Sequence, residues 1–156
     1  MSEISLKESR KSILKLMVES RAAYLTTIDE KGFPITRAMF NLRNQEQFPE
    51  LLDFFKSQDN EFLIYISTNT ASSKVTHIQK NPKISVYFCN PDEFEGVMFG
   101  GVAEIIEDRD MKHAIWLDWW DRYYLEGVDD PDFTLLHLNP KHVRYYHKLQ
   151  PVTFDL

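Results

Sequence analysis

Cysteine is nearly absent from this chain. Cys89 stands alone, so no disulfide can close within it, and nothing in the composition points to secretion. Basic residues are the minority: 18 Lys and Arg against 24 Asp and Glu give a formal charge of −6. That argues against the clustered cationic surface that nucleic acids need, while leaving room for a local positive pocket. No apolar run is long enough to span a bilayer. Met1–Lys15 mixes charged with apolar residues and has no signal-peptide core, so a cytoplasmic protein is expected. The five histidines, His77, His113, His137, His142 and His147, show neither H-E-x-x-H nor Cys/His ligand spacing, and Asp129–Asp132 lacks the spacing of a calcium loop. No metal site is expected. Gly100-Gly101 is followed by no helix at the distance a dinucleotide fingerprint requires.

What is present suffices for a real core. Hydrophobic residues make up 43% and aromatics 13% of 156 residues, the size of one domain. Apolar residues among Lys, Glu and Arg predict a helix over about 3–20, with Ile4, Ile13, Leu14, Leu16, Met17 and Val18 on its stripe. Ala22–Ile28 reads as a strand and Asp29–Gly32 as a hairpin turn, with Phe33–Leu42 returning. Arg43–Pro49 reads as a polar loop and Glu50–Lys56 as one or two helical turns. Glu61–Thr68 is apolar enough for a strand buried on both faces. Ser73–Lys80 predicts a short helix stopped by Asn81-Pro82. Strands follow at Lys83–Cys89 and Phe94–Glu107, the latter with Gly96, Gly100 and Gly101 marking a bulge, a bend or a close approach. Arg109–Tyr123 reads as a helix, Glu126–Pro131 as an acidic loop, and Phe133–Leu138 and Val143–Lys148 as strands. Hairpin-like connections and scattered helices favour an antiparallel barrel with helices at its ends.

The most chemical stretch is Thr68-Asn69-Thr70-Ala71-Ser72-Ser73-Lys74. A strand, a hydroxyl-rich turn and a helix start with an early lysine make an anion pocket, because the first helical N–H groups have no partner within the helix. A phosphate monoester suits that geometry. Taken alone, the segment fits plain helix capping by Ser72 better, a role serine often plays. Arg37 sits among apolar residues of its strand, where a guanidinium snorkels, pairs with a carboxylate, or forks onto a phosphate. Trp116, Trp119 and Trp120 share one helical face, fitting core or dimer packing, or stacking near a ligand. His77 reads as a surface residue one turn into its helix, and Cys89 as buried rather than nucleophilic.

The order of these pieces resembles the flavin-binding split-barrel family around pyridoxamine 5′-phosphate oxidase, nearest its general stress protein branch. The matching segments are Pro34–Met39, Tyr65–Lys74, Asn81–Val86 and Val97–Glu104. They continue through Trp116–Trp119, Glu126-Gly127, Asp130–Phe133 and Val143–Tyr146. The resemblance implies a mainly β fold: a split barrel of six to seven antiparallel strands in Greek-key order, with peripheral helices. It implies FMN at the interface of a homodimer and a small-molecule substrate or nicotinamide cofactor. Carried over residue by residue, Arg37 contacts the ribityl-phosphate region, and Ala38 and Met39 lie along the isoalloxazine. Ser67 and Thr68 line the ribityl chain and ring edge, and Ser72, Ser73 and Lys74 hold the phosphate. Trp116 and Tyr146 are candidates for an aromatic from the partner subunit. Ser73 stands where many relatives carry Arg or Lys. The oxidase's lysine at the end of the arginine-bearing strand is replaced by Leu42, and its Arg/His motif is missing from Leu149–Leu156. Pyridoxamine phosphate oxidation is therefore not expected, and no catalytic residue is assigned. The alternatives are a non-catalytic module holding flavin, deazaflavin or haem, and a structural dimer with an empty pocket.

Overall fold

A computed structural model of the chain describes residues 3–156, with side chains from Leu6 onward. Ile4, expected on the first helix's stripe, lies outside the described side chains. Helix α1 runs Glu3–Glu19 and buries Ile13, Leu16 and Met17, which fall on one face at helical spacing. Strands β1 (Ala22–Ile28) and β2 (Pro34–Phe40) form the expected hairpin. Asp29 closes its turn by accepting the Lys31 and Phe33 N–H groups on one carboxylate oxygen, and Gly32 takes φ +85°.

The return strand stops two residues short of Leu42 because Asn41 turns inward. Its Nδ2 donates to the Met17 and Ser20 carbonyls, both at 2.7 Å, satisfying groups at the end of α1. The loop beyond is not solvated as its composition suggests: Leu42, Arg43, Asn44 and Phe48 are all buried. Arg43 donates to the carbonyls of Glu61 and Leu63 and lies over the Phe55 ring, pinning the entry to β3. A 3₁₀ turn at Pro49–Leu51 leads into α2 (Leu52–Lys56).

Strand β3 (Ile64–Asn69) is buried until its last residue. Helix α3 covers Ser73–Lys80, as the sequence predicts. Strands β4 (Lys83–Asn90) and β5 (Glu95–Ile106) pair antiparallel. Helix α4 spans only Arg109–Ile115, and a separate 3₁₀ turn covers Asp118–Arg122. The single helix expected to Tyr123 is broken because Ile115 and Leu117 both go inward. Two residues apart on an α-helix lie about 200° around its axis, so one helix could not bury both. Strands β6 (Phe133–Leu138), β7 (His142–His147) and β8 (Gln150–Asp155) complete an eight-stranded antiparallel split barrel.

The path order is β2-β1-β4-β5-β6-β3, with β7 on the first half of β5 and β8 on β7. The strand β5 thus serves two walls: Gly96–Gly100 pairs with β7, and Ala103–Ile106 with β6. Its glycines mark close approaches: a Cβ at Gly96 would meet the Tyr87 ring, and one at Gly101 would come within 2.9 Å of Leu138 and 3.3 Å of the Asn139 carbonyl. One core, including Met17, Leu25, Ile66, Phe88, Phe99 and Val143, fills the barrel. A second, including Phe48, Phe55, Ile115, Trp120, Tyr124 and Phe133, seals the side under α2 and α4.

Candidate functional site

The end of β3, the turn after it and the start of α3 form one side of the site. Ser72 is extended (φ −67°, ψ 145°), and its Oγ accepts the Lys74 N–H at 3.2 Å, so the capping role holds. Thr70 is occupied elsewhere: its hydroxyl donates to the Pro131 carbonyl at 2.7 Å and lies 2.6 Å from the Thr134 hydroxyl. Its backbone N–H donates to the Asp132 carbonyl at 2.8 Å. Thr70 therefore anchors the turn to the loop before β6 and is not free to be the anion donor the sequence suggests. Ser73, exposed at the first helical position, and the half-buried Lys74 remain at the helix mouth.

Arg37 on β2 faces this mouth. Burial holds its guanidinium below the ordinary arginine value. Burial, and then the charge of Arg37, hold the Lys74 ammonium below 10.5. The two cations therefore lie within electrostatic reach of each other. Among the described residues neither forms an ion pair with a carboxylate; the ion pairs of other lysines and arginines lie elsewhere. Two partly desolvated like charges without a counterion form a site whose electrostatics improve when an anion enters.

Arg37 is held from behind. Its Nη1 donates to Thr27 Oγ1 at 2.8 Å, to the Ile35 carbonyl at 2.9 Å and, more weakly, to the Leu25 carbonyl at 3.4 Å. Thr27 Oγ1 in turn lies 2.8 Å from His77 Nδ1. His77 is thus half-buried against β1 and not the free surface residue expected. Sequence reading missed both residues, though signals existed. The β1 alternation puts Thr27 on the buried face beside Ala23 and Leu25, where a hydroxyl needs a partner. His77 follows Lys74 by three residues, the spacing that shares a helix face.

One residue past Arg37, a cavity of about 770 Å³ opens. Ala38, Met39, Ser67 and Thr68, all expected to contact a cofactor, line it. Its far wall holds Trp120, for which the sequence left ligand stacking open, and two residues not foreseen: Arg122 from the 3₁₀ segment Asp118–Arg122, and Tyr124 just beyond it. Tyr124 donates to Asn69 Oδ1 at 3.0 Å, and burial with Asp132 and Asp130 pushes its phenol up to about 12. Volume and lining match a small-molecule cleft with an apolar wall and a few polar groups.

Trp116 and Tyr146 lie away from this cavity within the chain. Trp116 packs on Trp120, Tyr124 and Phe133 in the second core. Tyr146 sits opposite Gly96 on β7, half-buried. Leu42, at the position of the oxidase lysine, is 2% exposed in the second core and faces no cleft. No group of three or more His, Cys, Asp or Glu among the described residues is arranged to hold a metal ion. No described helix is long and apolar enough to cross a membrane.

Known proteins share this fold. The chain is 24% identical over 152 residues to general stress protein 26 of Bacillus subtilis, covering 94% of this chain and 96% of the relative. A solved structure from Clostridium acetobutylicum, described as related to general stress protein 26 and of the pyridoxinephosphate oxidase family, is 32% identical. It covers 96% of this chain and 95% of its own, with a TM-score of 0.76. A heme binding protein from Mycobacterium smegmatis shares the fold at 15% identity and a TM-score of 0.67, covering 94% of this chain and 57% of that one. A profile of the pyridoxamine 5′-phosphate oxidase family matches residues 8–147. With its split barrel, helix-mouth cations and flanking cleft, the chain belongs to the pyridoxamine 5′-phosphate oxidase family, alongside the general stress protein 26 relatives.

Proposed function

We propose that the chain binds FMN and acts as a cytoplasmic oxidoreductase on a small molecule or nicotinamide cofactor. The observation that carries this reading is the pair Arg37 and Lys74: electrostatically coupled, partly desolvated and without a carboxylate partner among the described residues, while Ala38 and Met39, next to Arg37 on β2, line a cleft of about 770 Å³ that neither cation itself lines. The fit is specific in chemistry. A phosphate would be held by the Arg37 guanidinium, the Lys74 ammonium and the Ser72–Ser73 end of α3. Ser67 and Thr68 would meet a polyol chain. Ala38 and Met39 would form the floor under a flat ring, with Trp120 and Tyr124 closing the cleft against water.

When bound, the flavin would supply the hydride or electron transfer. The protein's share is to bind, orient and exclude solvent. Oxidation of pyridoxamine phosphate is not proposed, because the buried Leu42 cannot replace the lysine of the oxidase. Deazaflavin or haem in the same cleft is the alternative; a cavity lined by neither histidine nor cysteine favours a flavin over haem.

A second copy of the chain completes the reading. Tyr24, Tyr87 and Met98 stand side by side across β1, β4 and β5, on the face turned away from the barrel core. Tyr87 is 40% exposed there and Phe40, at the cleft edge, 47%. Aromatic and methionine side chains on an uncovered sheet face suit the core of a homodimer interface. The test is direct. The purified protein, incubated with FMN and desalted, should retain a flavin spectrum, and NAD(P)H should bleach it. Protein that takes up no FMN at high micromolar concentration removes the proposal; uptake without bleaching leaves a binding module.

A further inference from the structure

We propose that Thr27 and His77 are positioning residues for the anion site: together they hold Arg37 in the orientation that meets a phosphate. This rests on the FMN reading above and adds two residues to it. Thr27 is 0% exposed. At that position the alternation of β1 would ordinarily place an aliphatic side chain, as at Ala23 and Leu25. The hydroxyl is there for its bonds. It accepts the Arg37 Nη1 proton at 2.8 Å and shares a second hydrogen bond with His77 Nδ1, also at 2.8 Å, as donor or acceptor according to the imidazole tautomer. Three elements, β2, β1 and α3, are tied in sequence by two hydrogen bonds.

The consequence lies in what Arg37 has left. Nη1 is fully engaged by Thr27 and the Ile35 and Leu25 carbonyls. Nε and Nη2 make no hydrogen bond among the described residues, so one edge of the fork stays available beside Lys74. A long, rotamer-rich side chain is thereby ordered before the anion arrives. Pre-ordering one such side chain corresponds to about 3- to 10-fold in affinity. The same tie also seats the α3 mouth against the strand that faces it.

A purely structural tie would affect every ligand of the cleft alike, whereas a positioning role touches only the phosphate. The experiment therefore compares FMN with riboflavin, which lacks the phosphate, by fluorescence titration of wild type, Thr27→Val, Thr27→Ser and His77→Leu. The quantity read is the ratio of the riboflavin Kd to the FMN Kd. It should fall about 3- to 10-fold in Thr27→Val and in His77→Leu, and stay within about twofold of wild type in Thr27→Ser, which keeps the hydroxyl. An unchanged ratio in folded Thr27→Val and His77→Leu overturns the positioning role while leaving the phosphate site standing. If Thr27→Val does not fold, the ratio in His77→Leu decides. A wild-type ratio near one overturns the phosphate site itself, and this role with it.

Discussion

Lys74, at the mouth of α3, lies within electrostatic reach of Arg37 on β2, and the guanidinium depresses the ammonium's proton affinity beyond what burial alone does. Residues 37 places apart in sequence converge on one spot because the β1–β2 hairpin folds back beside β3 and α3. Two cations so placed suit an anion.

Replacing Lys74 by Ala should therefore cost FMN binding without costing the fold. A charge-assisted hydrogen bond is worth about 1.5–3 kcal/mol, so the Kd for FMN should rise about 10- to 150-fold. The Kd for riboflavin should hardly move, and the apo protein should melt at the wild-type temperature or slightly above it, since one of two repelling charges is gone. Equal losses for both flavins would locate the phosphate elsewhere.

The pH dependence has opposite signs for binding and for apo stability. Lys74 has a lowered value in the folded chain, so the unfolded chain binds more protons there. Apo stability should rise as pH climbs through the window between that lowered value and 10.5. A bound phosphate favours the charged ammonium, so FMN affinity should be full on the neutral side and decline through the same window. Lys74→Arg, which stays charged, should keep its affinity there. Titrations at stepped pH check this; an FMN Kd flat into the alkaline range for wild type removes Lys74 from the site.

Arg43 is a structural cation. Burial pushes its guanidinium down to about 10, and its donors serve the Glu61 and Leu63 carbonyls rather than a ligand. Arg43→Met strands both carbonyls and should destabilise the protein by about 2–6 kcal/mol, taking about 1–3 kcal/mol for each unsatisfied buried group. A lowered urea midpoint at unchanged slope is the expected signature, and a midpoint within error of wild type contradicts the role.

The β7–β8 turn carries backbone strain. Lys148 (φ +49°) and Leu149 (φ +65°) both occupy the left-handed region, where Asn-Gly is the usual pair. Leu149 is 78% exposed, so its side chain contributes little. Leu149→Gly should stabilise by about 1 kcal/mol, read as a higher melting temperature. A lower melting temperature would mean that Leu149 is held by contacts outside this chain.

Tyr87→Glu tests the second copy. A carboxylate in the middle of the outward-facing Tyr24–Tyr87–Met98 row should give a monomer by light scattering, with weaker FMN retention. A wild type that is monomeric at low micromolar concentration removes the interface outright.

Much of this was legible in advance where a local pattern carried the signal. Period-2 burial along β1, the Asp29–Gly32 turn and the limits of α3 follow from side-chain alternation, turn chemistry and capping. Arg37 and the Ser72–Lys74 helix start stood out because charge and hydroxyls have little business in a barrel wall without a partner. The misses share a physical cause. Strand β8 follows a turn of Lys and Leu, which sends no turn signal, and begins with Gln150-Pro151. The break after Ile115 depends on Leu117 finding a place in the second core. Arg43–Pro49 is a loop up to the 3₁₀ turn at Pro49, as its polarity suggests, but its burial was not legible, because Arg43 is satisfied by carbonyls remote in sequence.

By itself, then, the sequence determined which segments alternate, which cap, and that phosphate chemistry was on offer at two separate places. Whether those places meet was a matter of three dimensions: strand pairing brought Thr27 under Arg37, and α3 laid His77 against Thr27. Local propensities act over a few residues, whereas a binding site needs groups from distant segments held within hydrogen-bond reach. Only the packed barrel, with its two cores, supplies that constraint.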